Sequence, residues 1–135
     1  MKKVKVGDEI PDWHMPCVSA TRMRTMAAIL RDPNPVHWDS DLVESFGMGK
    51  RTINQGPLGL SYIINMLHQW MGPHCLKRIF MRFPKAVFSD DEVIAGGVIK
   101  ETQEKNDQEF AICEVWLKRD GEVLLSGEAT VLIEG

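Results

Sequence analysis

Apolar residues recur at helical spacing in two segments near the start of the chain. The segment TRMRTMAAILR places its apolar side chains on one helical face, which predicts a helix that Ser19 or Thr21 caps. The helix should end near Arg31, because Asp32 precedes a proline and is biased away from helical geometry. The segment SDLVESFG then predicts a short second helix.

The longest helical pattern runs through NQGPLGLSYIINMLHQWMG. Pro57 suits the first position of a helix, and Gly72-Pro73 ends the run. Apolar residues cover more than one narrow stripe of this predicted helix, which is typical of a helix that is largely buried. Something else in the chain must therefore cover it.

After Pro73 the pattern changes to strands. Four β-rich segments follow, and their sequences are LKRIFMRF, DEVIAGGVIKETQE, EFAICEVWLKRD and EVLLSGEATVLIE. KNDQ and RDGE separate the last three and predict hairpin turns, the second through an Asp-Gly pair. KVKVGDEI alternates near the N-terminus and predicts an edge strand. A curved antiparallel sheet wrapped around the apolar helix, an α+β fold, accounts for the whole pattern.

Composition narrows the class of protein. The 135 residues suit one domain, and 44% hydrophobic with 26% charged residues is typical of a globular protein. A net charge of −3 argues against nucleic acid or an anionic membrane as partner. The N-terminal lysines are not followed by the apolar core of a signal peptide, and no apolar run is long enough to cross a bilayer. The three cysteines show no C-x-x-C pairing, which suggests buried, reduced thiols. These features predict a cytoplasmic protein. The histidines show no metal-ligand spacing, so no metal is expected.

The stretch RDPNPVHWD carries the candidate chemistry. Its two prolines fix their own backbone and bias Asp32 and Asn34 towards extended geometry, which predicts a stiff connector that is neither helix nor interior strand. Such a connector can hold Asp32 and His37 as a preorganised acid–base pair, with Asn34 bracing the loop or orienting a ligand. The structural alternative is a capping turn, in which Asp32 binds the following amides and His37 packs.

This stretch resembles the D-x-N-P-h-H-x-D motif of MaoC-like (R)-specific 2-enoyl-CoA hydratases, where h is apolar. NQGPLGLSYI, FPKAVFSDDEV and SGEATVLI resemble further segments of the same family, although each is weak alone. The resemblance implies a single hotdog domain over residues 1–135, in which a curved antiparallel sheet wraps a long central helix. The strand and helix order predicted above agrees with it.

The resemblance also implies a reaction. Asp32 and His37 match the catalytic pair that adds water reversibly, in syn fashion, across the 2,3 double bond of an enoyl thioester to give a (3R)-hydroxyacyl thioester. One group takes a proton from water and the other supplies a proton at C2; which does which stays open. Gly56 matches the glycine whose N–H stabilises the negative charge on the thioester oxygen, and a simple helix cap is its alternative role. Gln55 stands where the family usually has histidine.

The remaining expectations concern the substrate and assembly. Coenzyme A is implied as part of the substrate, with no separate cofactor, and acyl carrier protein is the other possible carrier. The expected substrate-binding residues are Asn34, Gln55, Trp38, Arg82 and Lys85, of which the last two belong to a basic cluster suited to the phosphates of coenzyme A. An open sheet edge and tunnel wall predict a homodimer or higher oligomer, or pairing with another hotdog chain. The alternative enzyme is a hotdog thioesterase, disfavoured because no acid lies between Pro57 and Met71.

Overall fold

A five-stranded antiparallel sheet surrounds one apolar helix. The computed structural model describes residues 3–133. The elements, in chain order, are β1 (Glu9–Met15), α1 (Ala20–Leu30), a 3-10 turn (Pro35–His37), α2 (Ser40–Ser45), α3 (Gly56–Met71), β2 (Leu76–Arg82), β3 (Val93–Lys105), β4 (Gln108–Arg119) and β5 (Glu122–Ile133). The strand order in the sheet is β1-β3-β4-β5-β2, and every neighbouring pair is antiparallel.

The central helix and the sheet form one core. Helix α3 contacts all five strands. Its buried residues are Leu58, Gly59, Tyr62, Ile63, Met66, Leu67 and Met71. They pack against the inward-facing residues of the strands, because side chains of a strand alternate between the two faces of a sheet. The α+β hotdog architecture predicted from the sequence is confirmed.

Tight hairpins join the three long strands where the sequence predicts them. Asn106 and Asp107 have φ of 53° and 63°, and Asp120 and Gly121 have φ of 48° and 79°. Two successive residues with positive φ form the turn whose twist matches that of antiparallel strands. The hairpins therefore set the registers Lys105↔Gln108 and Arg119↔Glu122.

The position of the first strand was predicted wrongly. The alternating run at residues 3–10 overlaps β1 only at Glu9 and Ile10, because the chain turns at Gly7 with φ of 92°. Strand β1 instead continues through Pro11, where its pairing with β3 shifts between Ile10 and Trp13. A proline is tolerated there because β1 is an edge strand with a bulge.

Three smaller expectations also need correction. The proline-rich connector does contain a helical turn, since Pro35 opens a 3-10 turn through His37. Helix α3 begins one residue before Pro57, at Gly56. Cys17 is exposed, whereas the other two cysteines are buried. The predicted last strand reaches Glu134, which lies outside the described residues.

Candidate active site

The end of helix α1 places Asp32. Arg31 follows the helix with φ of 52°, and the N–H of Asp32 donates back to the Ala27 carbonyl at 3.0 Å, which closes the last turn. Oδ1 of Asp32 then accepts from the N–H of Asn34 at 3.0 Å. This side-chain turn leaves the second carboxylate oxygen, Oδ2, available for another contact.

Asn34 starts the turn that carries His37. Its Oδ1 accepts from the N–H of Val36 at 3.2 Å, and Pro35 occupies the first position of the 3-10 turn. The short turn brings the chain back on itself. As a result, Nε2 of His37 lies 3.1 Å from Oδ2 of Asp32.

Ile53 fixes the histidine ring through its backbone. Its N–H donates to the Val36 carbonyl at 2.9 Å, and its carbonyl oxygen lies 2.6 Å from Nδ1 of His37. A carbonyl oxygen only accepts hydrogen bonds, so Nδ1 carries the proton in this contact. The tautomer and orientation of the ring are thereby set, and Nε2 is the atom presented to Asp32.

The pair formed by Asp32 and His37 is mostly buried, but solvent still reaches part of it. The His37 side chain is 10% exposed and the Asp32 side chain is 30% exposed. Partial removal of water strengthens the electrostatic interaction between the two groups. Asp32 is therefore the member of the pair that is more accessible to solvent.

The first turn of α3 presents one unused backbone donor. Pro57 has no N–H, and the N–H groups of Leu58 and Gly59 both donate to the Gln55 carbonyl at 3.1 Å. The N–H of Gly56 has no hydrogen-bond partner among residues 3–133. It lies at the positive end of the helix dipole, where a developing anion is favoured.

A cavity of about 260 Å³ lies at this helix terminus. Its walls include Ile53, Gly56, Phe83, Lys85 and Leu125. Ile53 is the residue whose carbonyl holds His37, so the same short segment lines the cavity and supports the acid–base pair. Neither Asp32 nor His37 lines this cavity, whose wall comes from the segment before α3, the start of α3, the loop after β2 and β5; Ile53 is the residue that connects the cavity with the pair.

The predicted substrate-binding residues are only partly brought together. Lys85 and Gln55 line the cavity, and Trp38, beside His37, is 40% exposed. Arg82 is exposed at the end of β2, with its guanidinium 5.6 Å from the Phe80 ring centre, and is not part of the cavity wall. Their roles in binding remain predictions.

Gln55 and Asn34 already have structural partners. Gln55 is 2% exposed, and its Nε2 donates to the Met23 carbonyl at 2.7 Å, which ties α3 to α1. The Asn34 side chain caps the 3-10 turn. These bonds use one atom of each amide, and Oε1 of Gln55 is buried without a hydrogen-bond partner. That the two residues bind substrate stays a prediction.

A buried carboxylate, that of Asp91, stabilises the loop after β2, whose residues 83–87 line the cavity and which we call the cavity loop. Asp91 is 5% exposed and accepts from Nη1 of Arg51 at 2.8 Å, from Nη1 of Arg119 at 2.6 Å and from the N–H of Phe88 at 2.8 Å. Arg51 adjoins the segment that holds His37. The sequence singled out neither this network nor Ile53, since a backbone carbonyl carries no residue-specific signal.

Two titratable side chains near the cavity have shifted pKa values. Burial raises the pKa of Tyr62, and the nearby Asn54 and Arg22 partly offset the rise. Hydrogen bonds from Lys85, at 2.9 Å, and from Arg119 lower the pKa of Glu122. Lys85 therefore already has an anionic partner at the cavity mouth.

Residues 3–133 contain neither a metal-binding cluster nor a helix that could span a membrane. No three His, Cys, Asp or Glu side chains there are grouped so as to hold a metal ion. No helix there is both long and apolar enough to cross a membrane.

Solved structures share this architecture. The (R)-hydratase from A. caviae involved in PHA biosynthesis is 23% identical, with a TM-score of 0.84 over 99% of this chain and 100% of that chain. The R-hydratase PhaJ1 from Pseudomonas aeruginosa is 20% identical, with a TM-score of 0.82 over 98% and 84%. The ChsH1-ChsH2 complex from Mycobacterium tuberculosis contains a chain 17% identical, with a TM-score of 0.82 over 98% and 100%. These likenesses establish the fold.

Sequence comparison gives the family. Comparison with curated protein sequences found no significant match. The sequence profile of the MaoC-like domain, in contrast, matches residues 12–115, which include the acid–base loop, helix α3 and the cavity loop. On this match over most of its length, the chain belongs to the MaoC-like dehydratase family.

Proposed function

We propose that the protein adds water reversibly, in syn fashion, across the 2,3 double bond of an enoyl thioester to give a (3R)-hydroxyacyl thioester. The observation that carries this proposal is the 3.1 Å contact between Asp32 Oδ2 and His37 Nε2. Family membership sets the general class, hydratase or dehydratase. The likeness to two proteins described as (R)-hydratases favours the (3R) stereochemistry. The thioester substrate rests on the resemblance of the Asp32–Asp39 motif to that of the 2-enoyl-CoA hydratases.

The acid–base pair is suited to take one proton and give another. Because Nδ1 of His37 donates to the Ile53 carbonyl, the contact between Nε2 and Asp32 is attractive only when one proton lies between them. In hydration, the water oxygen bonds to C3, and the water proton passes to one member of the pair. The other member gives a proton to C2. The pair holds the same number of protons afterwards, and transfer across the 3.1 Å contact restores the starting arrangement.

Gly56 is proposed to stabilise the intermediate charge. Attack at C3 places negative charge on the thioester oxygen, as an enolate, until C2 is protonated. The unpartnered N–H of Gly56, at the start of α3, is placed to donate to that oxygen. Leu58 and Gly59 are poorer candidates, since their N–H groups are used within the helix.

The carrier is proposed to bind at the mouth of the cavity. Lys85 lies there, and Arg82 is exposed at the end of β2, so both can approach the phosphates of coenzyme A or of a carrier-protein arm. A phosphate would compete with Glu122 for the Lys85 ammonium. Trp38 offers an apolar surface beside His37.

We also propose an oligomer. Strand β2 is a sheet edge, and Phe80 and Phe83, at its end, are 52% and 50% exposed. Unpaired edges that carry aromatic side chains favour association with another chain. The partner is a second copy or, as in the ChsH1-ChsH2 complex, a different chain of similar fold. Sedimentation that finds a stable, fully active monomer would contradict this proposal.

A panel of trans-2-enoyl-CoA thioesters of increasing chain length tests the reaction. The purified protein should remove the enoyl absorbance and form the (3R) alcohol, whereas Asp32→Asn should not. Asp39→Asn is the matched control, because Asp39 lies in the same loop but only caps α2, and asparagine caps equally well. Release of free coenzyme A without loss of the double bond would instead indicate the thioesterase.

A further inference from the structure

Phe83 lies against the first residue of helix α3. Its ring carbons Cε1, Cδ1 and Cζ are 3.3, 3.6 and 3.6 Å from the point that a Cβ on Gly56 would occupy. A contact of 3.3 Å is tighter than ordinary van der Waals packing, so a side chain at position 56 would displace the ring. The backbone of Gly56 is helical and its φ is not positive, a conformation that any residue adopts. The space that the ring occupies therefore explains the glycine.

The backbone holds Phe83 in this position. Phe83 is the first residue after β2 and begins the cavity loop. The N–H of Asn54 donates to the Val87 carbonyl at 2.7 Å, which ties the other end of the cavity loop to the segment before α3. Phe83 itself is 50% exposed and lies outside the hydrophobic core, so burial in the core does not account for its position.

The same ring borders the cavity next to the N–H of Gly56. Phe83 and Gly56 both belong to the cavity wall. The Cβ position and the amide nitrogen are each one bond from the Cα of Gly56, so the nearest ring carbon lies within about 6 Å of that nitrogen. A group that accepts a hydrogen bond from this N–H inside the cavity therefore lies beside the ring.

An apolar wall at this point favours the charge that the proposed reaction develops. A hydrogen-bond donor stabilises an oxyanion more strongly where water is excluded, because the local dielectric constant is lower and water does not compete for the donor. A phenyl ring has no hydrogen-bonding group of its own, so it displaces water without competing for the Gly56 N–H.

We propose that Phe83 is a further substrate-contacting residue of this site. Its ring packs against the thioester group that binds at Gly56 and keeps water away from the hydrogen bond between the Gly56 N–H and the thioester oxygen. This role rests on the proposed function, because it takes the cavity to be the thioester site. It accounts together for the glycine at position 56 and for a half-exposed phenylalanine in the cavity loop.

Butanoyl-CoA and octanoyl-CoA test this role by binding alone, because neither has a double bond to hydrate. Calorimetry with the tighter-binding thioester should give a Kd about tenfold higher for Phe83→Ala than for the wild type. Phe83→Leu keeps an apolar side chain and should stay within about threefold of the wild type. Phe80→Ala is the matched control, because Phe80 is 52% exposed on the same sheet edge but lies outside the cavity wall. Its Kd should be that of the wild type.

A double-mutant cycle tests the contact between the ring and Gly56. Gly56→Ala should raise the Kd about threefold to tenfold, because the new methyl group displaces a ring carbon that lies 3.3 Å away. In the Phe83→Ala background the same change should have almost no effect, since substitutions at residues in contact are not additive. If the two effects simply multiply, the contact plays no part in binding and the proposal is overturned.

Steady-state hydration gives a second measurement. Shielding acts on the charged oxygen, so kcat of Phe83→Ala should fall about tenfold, which is less than the 10²–10³-fold expected when a donor is removed outright. A lower Tm with unchanged Kd and kcat would mean a purely structural role and would overturn the proposal. An equal loss of binding in Phe80→Ala would also overturn it, because the sheet edge and not the cavity would then be responsible.

The binding data separate this role from the proposed reaction. Weaker binding by Phe83→Ala, with no hydration of any enoyl thioester by the wild type, would refute the reaction but support the role of Phe83. Hydration by the wild type, with unchanged Kd and kcat in Phe83→Ala, would support the reaction and refute the role of Phe83. Wild-type protein that binds neither saturated thioester would refute both.

Discussion

Replacing Asp91 with asparagine tests whether one buried carboxylate holds the segments of the candidate site together. Asp91 joins Arg51, which precedes the segment supporting His37, to Arg119 at the end of β4 and to the backbone of Phe88. Neutralising it leaves two guanidinium groups without their shared partner. The substitution preserves the size of the side chain, but it removes the negative charge and replaces one acceptor oxygen with an NH2 group, which cannot accept from these donors.

The size of the effect follows from the exposure of the partners. Three hydrogen bonds to a charged acceptor set an upper bound of about 5–9 kcal/mol. The Arg51 and Arg119 side chains are 44% and 23% exposed, so water replaces part of what is lost. Breaking a buried ion pair costs about 3–5 kcal/mol. Since asparagine keeps one acceptor oxygen, we expect a loss near 3 kcal/mol, or about 10 °C in Tm.

Urea unfolding of the wild type and of Asp91→Asn measures this difference. Glu122→Gln is the matched control, because Glu122 accepts from the same Arg119 at 3.0 Å but is 44% exposed. Water screens an exposed pair, so this variant should lose far less stability. A free energy of unfolding for Asp91→Asn within about 1 kcal/mol of the wild type, well short of the cost of breaking a buried ion pair, would refute the reasoning.

Three further predictions follow from local contacts. Gly56→Pro removes the backbone donor and should lower kcat about 10²–10³-fold, whereas Gly56→Ala keeps the N–H and should lose much less; equal losses in steady-state kinetics would contradict the role of that N–H. A thiol reagent should label Cys17 alone in the native protein and all three cysteines in urea, because burial raises the pKa of Cys113 to about 12 and encloses Cys75. The pKa of Glu122 is lowered in the folded state, so its stabilising effect is present at neutral pH and lost on acidification; melts of wild type and Glu122→Gln should converge as the pH falls through the acid range.

The sequence predicts the long elements of the fold well. Helix α3 and strands β3 to β5 have strong periodicity, and their turns contain residues that favour positive φ. Strand β1 was predicted at the wrong residues because it contains Pro11, and proline counts against a strand in a sequence pattern. The segment KVKV alternates but does not pair as a strand. Alternation and propensity do not reveal which segment reaches a partner strand, since the bulge that admits Pro11 is a property of the assembled sheet.

The candidate site is predictable only in part, for a similar reason. The motif identified Asp32 and His37, and the structure places them 3.1 Å apart. The Ile53 carbonyl, the bracing of Asp91 and the packing of Phe83 against Gly56 depend on contacts between segments distant in the chain. Such contacts exist only in the folded molecule, so a single sequence gives no sign of them.

Steady-state hydration of a trans-2-enoyl-CoA by the wild type, Asp32→Asn, His37→Ala and the double variant tests the central claim most directly. Each single variant should lose about 10²–10⁴-fold in kcat, and the double variant should be little worse than the poorer single, because the two groups act on one water as a unit. Asparagine at position 32 keeps the acceptor for the Asn34 N–H, so the turn and the Tm should survive. Full hydration activity in Asp32→Asn would contradict the mechanism and would leave Asp32 with a capping role alone.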